Sequence, residues 1–342
     1  MASHDLEKTA KALVADGKGI LAADETPGTL TKRFEALKIN STADSRRTFR
    51  EMLFTVPGAT SFISGVIMQD ETIHQKSSTG TPLADVLSKE GIIPGIKVDT
   101  GAKNLAGFPG ETVTEGLDGL RDRLTNYRQL GARFAKWRAV IRIAEGLPTS
   151  SCLIANAHAL ARYAALCQEQ GLVPIVEPEV LMDGPHTIER CEEVTGKVLH
   201  RTFEALFEQR VNLEGMLLKP NMIVAGKQCG EQPSVDEVAT YTLRCLRNIA
   251  PSSVSGIVFL SGGQDHVTAT KNLNAINSVS KSQPWMLSFS YGRALQDEAL
   301  QTWMGKPENL QKGQQAFLHR AKCVSAAAQG KYNKTMEGKL AA

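Results

Sequence analysis

The sequence predicts a (β/α)8 barrel, a single TIM-barrel domain in which eight parallel strands close into a ring sheathed by helices. Three observations carry the prediction. Eight short apolar runs recur along the chain, of the near-continuous kind that suits strands buried on both faces. Longer segments with helical periodicity separate them. Nearly every run ends in an ionisable or hydroxyl residue, and in this fold the strand ends converge on one face.

In chain order the runs are KGILAAD (18–24), GVIMQD (65–70), GIKVDT (95–100), FAKWRAVI (134–141), LVPIVEPEV (172–180), GMLLKPN (215–221), GIVFLSGG (256–263) and WMLSFSYG (285–292). Before the fourth run, residues 114–133 carry leucines at 117, 120, 124 and 130, with Gly131 as a C-terminal stop. After it, residues 151–171 place Leu153, Ala157, Leu160 and Ala164 on one helical face. Residues 234–249 open on Ser234 and Glu237 at capping-box spacing. An open, doubly wound sheet is the alternative. No Gly-x-Gly-x-x-Gly turn follows the first run, which counts against it. No linker or low-complexity stretch divides the chain. The expected organisation is a barrel over residues 1–330 and a flexible C-terminal tail over 331–342, where periodicity is lost.

A formal net charge of +3 on 342 residues gives no global case for nucleic acid or an acidic membrane surface as partner. No apolar stretch approaches a membrane span, and the N-terminus lacks the apolar core of a signal peptide. The six cysteines are scattered without a C-x-x-C pair, as expected of reduced thiols in a cytoplasmic protein. The histidines show no metal-ligand spacing, so neither metal nor cofactor is expected. His158 and His266 read as helix residues without a special role.

The polar residues at the strand ends form the series Asp24, Asp70, Lys97, Lys136, Glu177, Lys219, Ser261 and Ser290. Lys136 and Arg138 are two apart and share a strand face, as do Glu177 and Glu179. A lone lysine after a strand is ordinarily solvated, and a lone glutamate pair is ordinarily a solvated edge. Three lysines and several carboxylates at matching positions instead indicate a catalytic mouth. Crowded cations and apolar walls both push a lysine pKa down, and a neutral amine attacks carbonyls to form an imine. Lys219 follows the most apolar run and is the best nucleophile on these grounds; Lys136 is second. The glutamates can then move protons.

Two loops suit phosphate. SGGQ (261–264) offers Ser261 and the exposed backbone of Gly262 and Gly263, and SYGR (290–293) offers Gly292 and Arg293. The first loop, DETPGTLTKR (24–33), adds Thr26, Thr29 and Arg33 for a second phosphate; a helix N-cap followed by a solvated cation is the plainer alternative.

Taken together and in order, LAADE, GIKVD, AKWR, VEPE, LLKPNM, FLSGGQ and SFSYGR resemble the class I fructose-1,6-bisphosphate aldolases, from about Leu6 to Tyr332. The resemblance implies a (β/α)8 barrel, assembled as a homotetramer, acting in glycolysis and gluconeogenesis without metal. It implies reversible cleavage of fructose 1,6-bisphosphate to dihydroxyacetone phosphate and glyceraldehyde 3-phosphate. By residue match, Lys219 is the imine-forming lysine, Glu177 the general acid/base and Glu179 its helper. Lys136 is the charged donor for carbinolamine breakdown, Arg138 holds substrate, and Asp24 orients the C4 hydroxyl and shares in its deprotonation. Ser261, Gly262, Gly263, Ser290, Gly292 and Arg293 match the C1 phosphate site. Thr26, Thr29, Arg33 and Lys97 match the C6 phosphate end.

The chain departs from the family pattern twice. Familiar members carry serines in place of Thr26 and Thr29, and animal and plant members end in a tyrosine that helps protonate the enamine. Here the last tyrosine is Tyr332. Deletion of residues 333–342 is therefore expected to change turnover little. Competing readings are another imine-forming barrel enzyme, such as a transaldolase or deoxyribose-phosphate aldolase, or a barrel serving only as a binding scaffold. A metal-dependent aldolase is disfavoured because its histidine ligands are missing.

Overall fold

All eight runs become barrel strands in the computed structural model, which describes residues 3–279 and 282–338. The strands are β1 (Gly19–Ala22), β2 (Ile63–Met68), β3 (Ile93–Lys97), β4 (Gly101–Asn104), β5 (Thr112–Glu115), β6 (Phe134–Ile141), β7 (Val173–Val180), β8 (Leu217–Leu218), β9 (Gly256–Phe259) and β10 (Met286–Tyr291). The closed ring runs β1-β10-β9-β8-β7-β6-β3-β2, every pairing parallel. β4 and β5 form a separate antiparallel hairpin between β3 and β6, which the pattern of apolar runs did not reveal.

The helices are α1 (Ser3–Leu13), α2 (Pro27–Ala36), α3 (Ala43–Phe54), α4 (Asp70–Ile73), α5 (Leu83–Lys89), α6 (Leu120–Gln129), α7 (Ser150–Glu169), α8 (Ile188–Glu208), α9 (Val235–Ile249), α10 (His266–Val279), α11 (Arg293–Trp303) and α12 (Leu310–Ala328). α9 opens on the expected capping box: Glu237 N–H donates to Ser234 Oγ, and Ser234 N–H donates to Glu237 Oε2 at 2.8 Å. α6 starts only after Gly119, whose φ of 66° is left-handed, so Leu117 falls outside the helix. No helix among the described residues is long and apolar enough to cross a membrane.

Strand alternation divides the core in two. Ile20, Ile67, Phe134, Val173, Ile175, Leu217 and Val258 point inward and pack with Leu6, Ala10, Leu13 and Val14 on or just after α1. Leu21, Ala135, Trp137, Val176, Leu218, Ile257 and Phe259 point outward under the helices. The spacing 6, 10, 13, 14 is an amphipathic helical face, and α1 uses it to plug the N-terminal end of the barrel. Phe134 fills the space inside the ring. A Cβ on Gly95 would lie 2.3 Å from its ring, so only glycine fits there. With one end sealed by apolar side chains, the polar strand ends gather at the other.

The described part of the C-terminal segment is docked. Tyr332 is buried, its hydroxyl donates to Glu337 Oε1 at 2.6 Å, and Glu337 takes a bidentate pair from Arg320 of α12 at 2.6 and 2.8 Å. The remainder of the expected tail, residues 339–342, lies outside the described residues.

Candidate active site

Inward parity along the strands, and just past the ends of β1 and β8, sets the site. After Phe134 come Lys136 and Arg138; after Val173 and Ile175 come Glu177 and Glu179; after Leu217 comes Lys219. Asp24 follows Ala22 on β1 in the same way. The register places Lys97 beside Lys136 and Arg138 beside Glu177. Lys219 is held by its backbone, whose N–H donates to Val176 O at 2.8 Å. Buried Asn221 braces the turn beyond it: Oδ1 accepts from Val180 N–H at 3.0 Å, and Nδ2 donates to Thr195 Oγ1 at 3.1 Å.

The charged centre is a chain of four groups. Lys136 Nζ lies 2.7 Å from Asp24 Oδ2 and 3.1 Å from Glu177 Oε2, and Lys219 Nζ lies 3.2 Å from Glu177 Oε1. The Lys136–Glu177 contact is an ion pair without hydrogen-bond alignment. Both lysines and Glu177 are buried. Burial lowers the Lys219 pKa, and Lys136 adds to that against the pull of Glu177 and Asp24. Burial opposes the Lys136 charge as well, but Asp24, Glu177 and Asp99 outweigh it and raise its pKa. Burial alone would raise Asp24; Lys136 and Lys219 instead hold it down to about 2. Burial would likewise raise Glu177, and Lys136, Lys219 and Arg138 lower it. The two lysines therefore differ: Lys136 stays an ammonium while Lys219 gives up its proton more readily. The reading of Lys136 as a second depressed amine does not hold, because two carboxylates flank it directly.

Around this centre opens a cavity of about 730 Å³. Its lining includes all sixteen residues expected from the sequence: Asp24, Thr26, Thr29, Arg33, Lys97, Lys136, Arg138, Glu177, Glu179, Lys219, Ser261, Gly262, Gly263, Ser290, Gly292 and Arg293. Gly262 and Gly263 have φ of 60° and 84°, a consecutive left-handed pair that glycine adopts at little cost. Gly292 caps α11 with no side-chain hydrogen bond, so the positive end of that helix faces the cavity. Ser290 Oγ is buried without a hydrogen-bond partner, as a hydroxyl held for a ligand oxygen would be.

At the other end Thr26 caps α2, accepting from Thr29 N–H at 3.3 Å, and the two hydroxyl oxygens are 3.0 Å apart. Arg33 pairs with Glu25 and with Asp297 at 2.8 Å, and Lys97 pairs with Asp99. These cations already carry carboxylate partners. Arg138 likewise pairs with Glu179 through Nε.

One member of the series lies elsewhere. Asp70 begins α4 and accepts from Tyr127 O–H at 2.7 Å. Ile67 points inward, so Asp70, three residues on, points outward. Five charged cavity residues lie beyond those expected: Asp99, Glu25, Lys32, Lys227 and Asp183. Asp99 had a signal, being two residues past Lys97 on the same face. Lys32 lies on α2, and Glu25, Asp183 and Lys227 lie on loops that carry no such signal. Among the described residues, no group of three or more His, Cys, Asp or Glu side chains could hold a metal ion.

The family model described as fructose-bisphosphate aldolase class-I matches residues 5–342. A probable fructose-bisphosphate aldolase class 1 from Xanthomonas campestris is 55% identical over 97% of this chain and 99% of its own length. Cytosolic fructose-bisphosphate aldolase 4 of Arabidopsis thaliana is 50% identical over 96% of this chain and 84% of its own. Among solved structures, a Plasmodium falciparum fructose-bisphosphate aldolase, in complex with TRAP and a small-molecule inhibitor, superposes with a TM-score of 0.95 at 49% identity. That match covers 96% of this chain and 95% of that one. The chain belongs to the class I fructose-bisphosphate aldolase family.

Proposed function

We propose that the barrel mouth cleaves fructose 1,6-bisphosphate through an imine on Lys219, with the residue roles that follow. The observation that carries this reading is the unequal pair of lysines around Glu177. A buried amine with a lowered pKa is freed more readily for attack on a carbonyl, and a buried ammonium beside it supplies fixed positive charge.

Lys219 adds to the C2 carbonyl. Glu177, 3.2 Å from Lys219, passes a proton to the departing carbinolamine oxygen, with Lys136 stabilising the charge that develops there. Water leaves and a protonated imine remains. The C4 hydroxyl then loses its proton. Asp24, held near 2, is a weak base that orients this hydroxyl and shares the deprotonation with Glu177. The C3–C4 bond breaks, its electron pair moves into the imine, and glyceraldehyde 3-phosphate departs. Protonation of the enamine at C3 and hydrolysis release dihydroxyacetone phosphate and the free amine. Glu179 fixes Arg138 against the substrate.

The C1 phosphate sits on the Ser261–Gly263 loop, Ser290 and the Gly292–Arg293 helix start. The C6 phosphate lies toward Thr26, Thr29, Arg33 and Lys97. Two candidate phosphate ends lining the same cavity as the lysine favour a bisphosphate over a monophosphate sugar. The same reading carries a cytoplasmic enzyme assembled as a homotetramer, whose mass sedimentation measures.

The test is borohydride reduction of the protein mixed with dihydroxyacetone phosphate and a chelator, followed by digestion and mass spectrometry. An adduct on Lys219 is expected. An adduct on Lys136 would exchange the two lysines, and no adduct together with activity lost to the chelator would overturn the imine.

A further inference from the structure

Lys227 lies on the loop after β8, beyond the strand-end series. Its backbone N–H donates to Met182 O at 2.8 Å, which fixes the loop, and its side chain reaches the cavity rim. A Cβ placed on Gly263 would be 3.0 Å from Lys227 Nζ and 3.2 Å from Arg293 Nη2. The two cationic groups therefore flank one point above the left-handed glycine pair. Such heads repel unless an anion lies between them.

Lys227 Nζ is paired instead with Asp183 Oδ1 at 3.2 Å, and the Asp183 side chain is 61% exposed. An exposed pair of this kind contributes little and is easily exchanged. A phosphate dianion at the glycine pair offers more charge and more acceptor oxygens than Asp183 does. Lysine suits the movement, since its ammonium rides on a flexible stem.

We propose that Lys227 is a second cation of the C1 phosphate subsite, exchanging Asp183 for the substrate phosphate opposite Arg293. It is then a specificity-determining residue for ketoses phosphorylated at C1. The proposal rests on the reading of that loop as the C1 phosphate site.

The test uses Lys227→Met, Lys227→Arg and Asp183→Asn in the condensation direction, with KM measured for each triose phosphate. Lys227→Met is expected to raise KM for dihydroxyacetone phosphate roughly tenfold, about 1.4 kcal/mol. KM for glyceraldehyde 3-phosphate, whose phosphate occupies the other end, stays within about twofold on that account. Lys227→Arg restores most of the loss. Asp183→Asn lowers the first KM in the Lys227 chain and not in the Lys227→Met background. An unmoved KM, equal rises in both, or an Asp183→Asn effect identical in the two backgrounds would overturn the role of Lys227. Borohydride trapping on Lys219 of the parent chain reports on the imine reading separately. Its absence sinks that reading, whereas an intact adduct with an unmoved KM sinks only the role of Lys227.

Discussion

Glu177→Gln separates the two tasks assigned to the charged centre. The substitution keeps the shape and removes one negative charge, 3.2 Å from Lys219 and 3.1 Å from Lys136. At an effective dielectric of about 20, a charge pair at that first distance attracts by about 5 kcal/mol. This attraction favours the protonated amine, so its loss lowers the Lys219 pKa beyond what burial already does. If only a third survives screening and relaxation, the midpoint still moves down by more than about one pH unit. The nucleophile therefore becomes available at lower pH in the variant. Turnover moves the other way, because the proton carrier is gone; loss of a general acid/base slows a reaction about 10²- to 10⁴-fold. The assay is the extent of borohydride trapping of dihydroxyacetone phosphate against pH, beside kcat for fructose 1,6-bisphosphate cleavage. A midpoint that stays or rises, or a kcat loss below about tenfold, would refute the reasoning. Asp24 remains as the Lys136 partner, so the variant is expected to stay folded.

Asp24→Asn tests the electrostatics by stability. The folded pKa of about 2 lies below the unfolded 3.8, so Asp24 contributes fully above pH 3.8 and loses its contribution as pH falls through 2. That contribution is about 2 kcal/mol; urea midpoints at pH 5 and pH 2.5 should differ less in the variant, and an unchanged difference would count against the pairing. Glu337→Gln strips the counter-ion from fully buried Arg320 and is expected to cost about 3 kcal/mol of stability in urea, with kcat per folded molecule retained. Deleting 333–342 removes the same carboxylate, so loss of stability there must be scored apart from turnover. Gly263→Ala puts a side chain at φ 84° and between the Lys227 and Arg293 heads. A strain of about 1–2 kcal/mol and a severalfold rise in KM for dihydroxyacetone phosphate are expected, and an unchanged KM would show that the phosphate sits elsewhere.

The barrel was legible because strands buried on both faces must be apolar throughout, and such runs stand out. The β4–β5 hairpin was not: both strands are only four residues long, GAKN is mostly exposed and TVTE buries only Thr114, so nothing in their pattern separates them from a loop. Parity read the site well where a strand continues straight, as at Lys136, Arg138, Glu177 and Glu179. It failed at Asp70, because the inward face of β2 is the one that carries Ile67. It could have found Asp99 from Lys97 and did not. Glu25, Asp183 and Lys227 reach the cavity through loops, whose course depends on contacts distant in sequence. The plug helix is legible in its 6, 10, 13, 14 spacing, which is an apolar helical face.

The two central lysines show why residue type at a strand end does not give its charge. Both are buried, and burial disfavours the ammonium in each. Each also feels the other's charge, which a sequence argument extends to both alike. What separates them is the number of carboxylates within reach. Lys136 has Asp24 and Glu177 in direct contact and Asp99 nearby, so attraction exceeds the penalty of burial. Lys219 has one oxygen of Glu177 and the repulsion of Lys136, so burial prevails. Asp24 thus acts on the nucleophile in two opposed ways. It attracts the Lys219 proton weakly from a distance, and it keeps charged the lysine that repels that proton. The division of labour between the lysines therefore depends on β1 delivering Asp24 to β6 rather than to β8, a fact of barrel closure that neither lysine's own sequence neighbourhood contains.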